Sequence, residues 1–329
     1  MMKAMLIDEA KNLVWSDVEK PVPKENEVLI KIHAAALNRA DLFQRRGTYN
    51  SPVGWPEWMG LEVSGTVEEM GAEAAESGKF DIGDRVCALL GGGGYAEYVC
   101  APIGMVMPMP KNLTFEEAAS LPEAYATSYL NLFREGHLKE GQTAFIPAGA
   151  SGLASVAIPM AKMFGIRVIT SVLSDELAEK IKPLGADVVI NSTTQNVAEI
   201  LKEEAEAGHP VNAAMDCLCG EALGQCLPYM DEGGYWVIIS TLAGAETNVQ
   251  LRPVLTKGLH LVGSMLRKRS SEEKAVLLSE LVEKVWPGIE KGIMKPSIYK
   301  VLPMEAAEEA HGILERSENV GKVVLRVCD

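Results

Sequence analysis

The chain has 329 residues, too long for one ordinary domain and about right for two. With 47% apolar and 23% charged residues, it can bury a sizeable core without a disulfide or metal staple. Its 31 Lys and Arg against 45 Asp and Glu leave a formal charge of -14, which argues against nucleic acid as a partner because that affinity rests on clustered cations.

Up to about Leu121 the sequence is strand-like and rich in turns. Short β runs are predicted at Val28–Ile32, Gly60–Val67 and Arg85–Leu90, with Gly83-Asp84 as a turn. Gly91 to Gly94, four consecutive glycines ahead of Tyr95-Ala96-Glu97-Tyr98, predict a tight loop. Met105, Met107 and Met109 alternate and read as one core-facing side of a strand.

From Pro122 to about Gly263 strands and helices alternate with short connections. Strands are predicted at Thr143–Ile146, Arg167–Val172, Val188–Ile190, Ala213–Asp216, Tyr235–Ile239 and His260–Val262. Helices are predicted at Gly152–Phe164, Asp175–Leu184, Asn196–Ala205 and Glu221–Met230, with Ser174 as an N-cap and Gly185 as a C-cap. Short apolar strands separated by helices imply an α/β, doubly wound parallel sheet covered on both faces. After that the first texture returns. Ser270-Ser271-Glu272-Glu273 has capping-box form and opens a helix with Leu277, Leu278, Leu281, Val282 and Val285 on one face, and Val320–Val327 is a closing strand. One domain inserted in another is therefore expected: residues 1–121 and 265–329 form one, residues 122–264 the other.

No apolar run reaches membrane-spanning length, and the start lacks the basic-then-apolar layout of a signal peptide. No membrane association and a cytoplasmic location are expected. Cys87, Cys100, Cys217, Cys219, Cys226 and Cys328 contain no C-x-x-C pair, and the five histidines are scattered singly. Reduced structural thiols and no metal site are expected.

The strongest motif is Ala148-Gly149-Ala150-Ser151-Gly152-Leu153-Ala154, between a predicted strand and a predicted helix. Small residues there let a backbone approach a pyrophosphate, and the helix N-terminus supplies amide donors. The spacing is short of a full G-x-G-x-x-G, so a plain tight turn is the alternative; the βαβ context favours a nucleotide.

Asn38-Arg39-Ala40-Asp41, Gly60-Leu61-Glu62-Val63-Ser64-Gly65, Gly83-Asp84-Arg85-Val86, Ala118 to Ala124, Leu266 to Arg269 and Asn319 to Leu325 occur in that order. Together they resemble the zinc-independent medium-chain dehydrogenases/reductases, and within them the quinone oxidoreductases of the p53-inducible type. The resemblance implies a Rossmann-type cofactor domain, a β-rich GroES-like catalytic domain and an active site in the cleft between them. It also implies a homodimer joined through the outermost strand His260–Val262. Positions that hold Cys, His and Cys in zinc-dependent relatives here hold Asn38, Leu61 and Glu123, and Leu61 cannot ligate. Hydride transfer from NAD(P)H to a quinone or similar conjugated carbonyl is therefore the implied reaction. The alternatives are reduction of 2-alkenals or enoyl thioesters, and a catalytically weak NADPH-binding sensor.

By resemblance, Asn38 and Tyr49 line the substrate site, with a helix cap and a loop aromatic as their plain alternatives. Glu123, Thr127, Gly149, Ala150, Ser151, Gly152, Leu153, Ser171, Ser174, Asn191, Ser240, Met265, Asn319 and Lys322 fall at family positions around the cofactor. Among these, Thr127 could equally be an ordinary helix hydroxyl, and Lys322 reads better as a surface charge. The second strand of the α/β unit ends Thr170-Ser171-Val172 without an acid at its tip, which favours NADPH over NADH. The cation expected beside a 2′-phosphate is missing, with Lys180 and Arg167 as candidate replacements, so the preference is expected to be modest and NADH use possible. Pro159 falls inside a predicted helix, where a kink is expected.

Overall fold

The computed structural model describes residues 1–327, and Cys328, one of the expected thiols, lies outside the described residues. The chain divides into two compact units, residues 1–126 with 269 onward, and residues 127–268. The first boundary falls inside the helix Pro122–Tyr129, so Pro122–Ala126 belong with the first unit rather than with the inserted one.

In the first unit, β1 (Met2–Ile7) and β2 (Leu13–Val18) form an antiparallel hairpin. β3 (Glu27–Ala36), β4 (Glu62–Met70), β5 (Arg85–Leu89), β6 (Tyr98–Pro102) and β7 (Val106–Pro108) build the main sheet around the long central β3, which pairs with both β4 and β6. Val28, Ile30, Ile32, Val63, Val86 and Val99 fill the core beneath it. The four glycines lie where side chains would not fit. A Cβ on Gly91 would stand 2.6 Å from the Trp55 ring, and one on Gly60, at φ +105°, 2.5 Å from Gly94 Cα.

The second unit is one six-stranded parallel sheet: β8 (Thr143–Ile146), β9 (Arg167–Val172), β10 (Val188–Asn191), β11 (Val211–Asp216), β12 (Met230–Ile238) and β13 (His260–Gly263). Their order is β10-β9-β8-β11-β12-β13, so the winding reverses between β8 and β11. That is the doubly wound Rossmann order. The inner strands are buried on both faces, whereas β13 is the outermost and largely exposed. Ser174 caps the helix Asp175–Ile181 by accepting from the Leu177 N–H, and Gly185, in the left-handed region at φ +86°, closes the 3-10 turn Lys182–Leu184 that extends it. The helix Ala154–Met163 is continuous across Pro159.

Past the second unit the chain returns to the first. The helix Ser271–Lys284, opened by the Ser270 capping box, buries Leu277, Leu278 and Leu281. β14 (Ile298–Pro303) pairs with β15 (Lys322–Arg326), and β15 pairs antiparallel with β3, so the closing strand completes the sheet begun near the N-terminus. No described helix is long and apolar enough to cross a membrane.

Candidate active site

The candidate residues fall into two groups, one in each unit. In the second unit the turn after β8 carries the small-residue motif. Ala148 takes φ +57°, an uncommon conformation for a residue with a side chain. The Gly149 N–H donates to the Ser171 carbonyl at 2.8 Å. A Cβ on Gly149 would lie 2.4 Å from Thr170 Oγ1, so this glycine is demanded by the neighbouring strand and not only by a ligand. The Ser151 hydroxyl accepts from the Ala154 N–H at 3.1 Å, and the Ser155 N–H donates to the Ser151 carbonyl at 2.9 Å. Ser151 thus ties off the turn just ahead of the helix Ala154–Met163, with Gly152 and Leu153 leading into it. First-turn amides have no partner within a helix and face outward from its positive end.

The remaining candidates of this unit gather at the same carboxyl-terminal edge of the sheet. Ser171 and Ser174 lie at and just past the end of β9, Asn191 ends β10, Ser240 follows β12 and Met265 follows β13. Open parallel sheets bind ligands at this edge, beside the reversal point. The Asn191 amide donates to the Asp175 carboxylate at 2.7 Å, and Ser240 accepts from the Cys219 thiol at 3.1 Å. Met265 is exposed. Thr127 sits half-buried in its helix, where its carbonyl accepts from Asn131. Of the two replacement cations, Arg167 is ruled out. It opens β9 at the opposite end from the tip and is bound to Glu204 at 3.0 Å. Lys180 pairs with Glu176 at 2.8 Å.

In the first unit the structure corrects the reading of Lys322 as a surface charge. It is only 4% exposed, and its ammonium contacts the fully buried Glu62 at 2.6 Å and donates to Asn38 Oδ1 at 2.8 Å. β15 pairs with the middle of the sheet, which carries its first residue inside. Asn38 both precedes the helix Arg39–Arg45 and turns its amide inward, donating to Glu62 at 3.0 Å. The other Glu62 oxygen accepts from the Glu123 backbone N–H at 2.8 Å. Asn38, Glu123 and Lys322, far apart in sequence, therefore meet on Glu62. Asn319 bonds locally to the Gly321 carbonyl, and Tyr49 lies half-buried in the loop after the helix Arg39–Arg45.

Behind Asn38 is a second buried set, none of it among the predicted site residues. Asp41 accepts from the Asn38 N–H at 2.8 Å, from the Gly60 N–H and from the Tyr95 hydroxyl at 3.2 Å; Tyr95 in turn meets His311 at 3.4 Å. Burial, against the pull of these donors, pushes the Asp41 carboxyl up to about 6 and Tyr95 well above its ordinary range. Burial pushes His311 down to about 4. The available signal for Glu62 was a carboxylate within the predicted β run Gly60–Val67.

An alcohol dehydrogenase GroES-like family model matches residues 24–111, and a zinc-binding dehydrogenase family model matches residues 152–283. The quinone oxidoreductase of Sus scrofa is 31% identical over 313 residues, covering 94% of this chain and 92% of that protein. The chain belongs to the quinone oxidoreductase family. Its match to solved members of the wider superfamily covers nearly the whole chain. An NAD-dependent alcohol dehydrogenase is 29% identical with a TM-score of 0.84, covering 99% of this chain and 100% of that one. A mycobacterial protein solved with NADPH is 28% identical with a TM-score of 0.84, over the same shares. The candidate residues thus form two groups, a set at the carboxyl-terminal edge of the second unit's sheet and a buried polar cluster of Asn38, Glu62 and Lys322 in the first.

Proposed function

We propose that the chain is an NAD(P)H-dependent reductase that passes hydride to a quinone or similar conjugated carbonyl without zinc, with NADPH preferred over NADH. The observation that carries this reading is the Lys322–Asn38–Glu62 cluster. Asn38 Oδ1 and Glu62 Oε1 already serve an ammonium, and a buried cation at 2.6–2.8 Å from them repels a divalent metal. Leu61, buried beside them, has no donor atom. Conjugated acceptors suit a site of this kind, because the charge arriving with the hydride spreads onto a conjugated oxygen and needs no Lewis acid.

The carboxyl-terminal edge of the second unit fits a dinucleotide. The Gly152 and Leu153 amides would meet the pyrophosphate, and Ser171 and Ser174 the adenosine ribose or its 2′-phosphate; the reduced nicotinamide supplies the hydride when bound. Asn38 and Tyr49 are proposed for the substrate side. The acid nearest the β9 tip, Asp175, is already engaged by Asn191, which supports an NADPH preference, while the lack of a dedicated cation supports only a modest one. A homodimer through β13 is supported by its exposed edge and by the exposed Leu261, Leu251 and Leu255. A cytoplasmic location is supported by the described cysteines, which remain thiols.

The test is NADPH oxidation, followed at the nicotinamide absorbance, against a panel of quinones, 2-alkenals and crotonyl-CoA, with EDTA added and metal content measured. Turnover on quinones, unaffected by EDTA and without stoichiometric zinc, is expected. Higher activity on enals or the thioester would move the substrate class. Binding of NADPH without turnover on any of them would make the protein a sensor.

A further inference from the structure

Lys322 has more hydrogen-bonding capacity than its surroundings use. An ammonium carries three N–H donors. One meets Glu62 Oε1 and another Asn38 Oδ1, and no third acceptor lies among the described residues. The cluster around it is otherwise matched: Glu62 Oε1 also accepts from Asn38 Nδ2, and Oε2 accepts from the Glu123 N–H. What remains is one cationic donor on a side chain 4% exposed. Buried donors without partners are costly, and a buried ion pair is weak as a stabilising device, since well-packed apolar residues often replace one without loss. A ligand oxygen resolves the mismatch.

We propose that Lys322 is the electrophilic catalytic group for the acceptor: its third N–H takes the carbonyl oxygen of the conjugated substrate, and Glu62 and Asn38 are positioning residues that hold the ammonium. This rests on the reductase reading above. As the acceptor gains the hydride, the electron pair of its π system moves to that oxygen and leaves it anionic, while the nicotinamide is oxidised by two electrons. The proton that completes the product comes from water, and no bond to Lys322 breaks. A fixed cation in a water-poor site stabilises such charge without reorganising. An oxygen of the cofactor could use the same donor, so the experiment separates the two.

The double variant Lys322→Met/Glu62→Gln avoids leaving a buried carboxylate unpaired. Lys322→Arg keeps the charge. Three quantities are compared with wild type: the NADPH Kd from nicotinamide fluorescence, kcat/KM for a quinone at saturating NADPH, and the apparent pKa of bound 4-nitrophenol from its phenolate absorbance. The phenolate stands for the anionic oxygen of the reduced acceptor. In wild type the phenol pKa is expected below its value in water. The double variant should restore that value and lower kcat/KM on the order of 100-fold or more, with NADPH Kd changed by no more than about twofold. Lys322→Arg should recover part of the phenolate signal.

Unchanged phenol pKa with NADPH binding weakened about tenfold or more would assign the donor to the cofactor and overturn the proposal. A lower melting temperature with both ligands unaffected would make the ion pair structural and overturn it as well. Wild type that lowers the phenol pKa through Lys322 yet reduces none of the acceptors would refute the reductase reading while the oxyanion site stood.

Discussion

Asp41 and His311 are both fully buried in the first unit, and the pH dependence of stability offers a test of their surroundings. Asp41 is raised from an ordinary 3.8 to about 6, chiefly by burial. The folded state therefore holds this proton more tightly than the unfolded chain. Its contribution is full below pH 3.8 and is lost as pH rises through about 6. His311 is lowered from 6.5 to about 4, again chiefly by burial. Its contribution is full above pH 6.5 and is lost as pH falls through about 4. At roughly 1.4 kcal/mol per pH unit, each interval is worth on the order of 3 kcal/mol. The two slopes run in opposite directions over nearly the same window, so in the wild type they largely cancel. Substitution of either exposes the other. Asp41→Asn leaves the His311 slope, and its destabilisation relative to wild type should grow by about 3 kcal/mol on going from pH 7 to 4. His311→Phe leaves the Asp41 slope, and its destabilisation should shrink by a similar amount. Urea unfolding across that range is the assay, followed by tryptophan fluorescence, since Trp15, Trp55, Trp58 and Trp286 all belong to this unit. Carboxylates elsewhere titrate in every variant and drop out of the differences. Parallel pH curves for the two variants would show that these groups do not carry opposing proton linkage.

Gly149→Ala should destabilise the second unit by about 1–3 kcal/mol, through overpacking against Thr170, whose hydroxyl is committed to the Ile146 carbonyl at 2.6 Å, and so lower its melting temperature. A melting curve matching wild type would mean the turn can shift. Tyr49→Phe should reduce turnover about tenfold, the worth of roughly 1–2 kcal/mol for one hydrogen bond, with the NADPH Kd unchanged. Identical kinetics on several quinones would remove Tyr49 from the site. The kcat/KM ratio for NADPH over NADH on one quinone should be on the order of tenfold or less, because the full charge-assisted contact, worth about 1.5–3 kcal/mol or roughly 10- to 150-fold, has no dedicated cation to make it. A clear NADH preference would show that Asp175, despite its bond to Asn191, still serves the ribose. Leu261→Asp should convert a dimer to monomer by light scattering at micromolar concentration; a wild type that is already monomeric would refute the β13 edge as an interface.

The α/β unit was legible because its signals are local. Thr143–Ile146 and Arg167–Val172 match the observed strands at both ends, since a strand covered on both faces is a short, largely apolar run bounded by turn residues. Ser174, Gly185 and the Ser270 box cap helices in ways that depend on neighbouring residues alone. The flanking stretches were less legible. β1, β2, β7 and β14 are short or partly exposed strands, and the residues that justify them lie on other strands. Partners distant in sequence also decided the site. Lys322 looked like a surface charge because nothing beside it shows that β15 joins β3, and only that pairing carries it to Glu62 and Asn38. Arg167 looked available until its bond to Glu204, 37 residues away, was seen. Asp41, Tyr95 and His311 touch across separations of 54 and 216 residues. A sequence states which residues are apolar, small or charged, and so fixes where chain segments become helix or strand. Which charge is desolvated, and against what, depends on contacts that close only when distant segments pack.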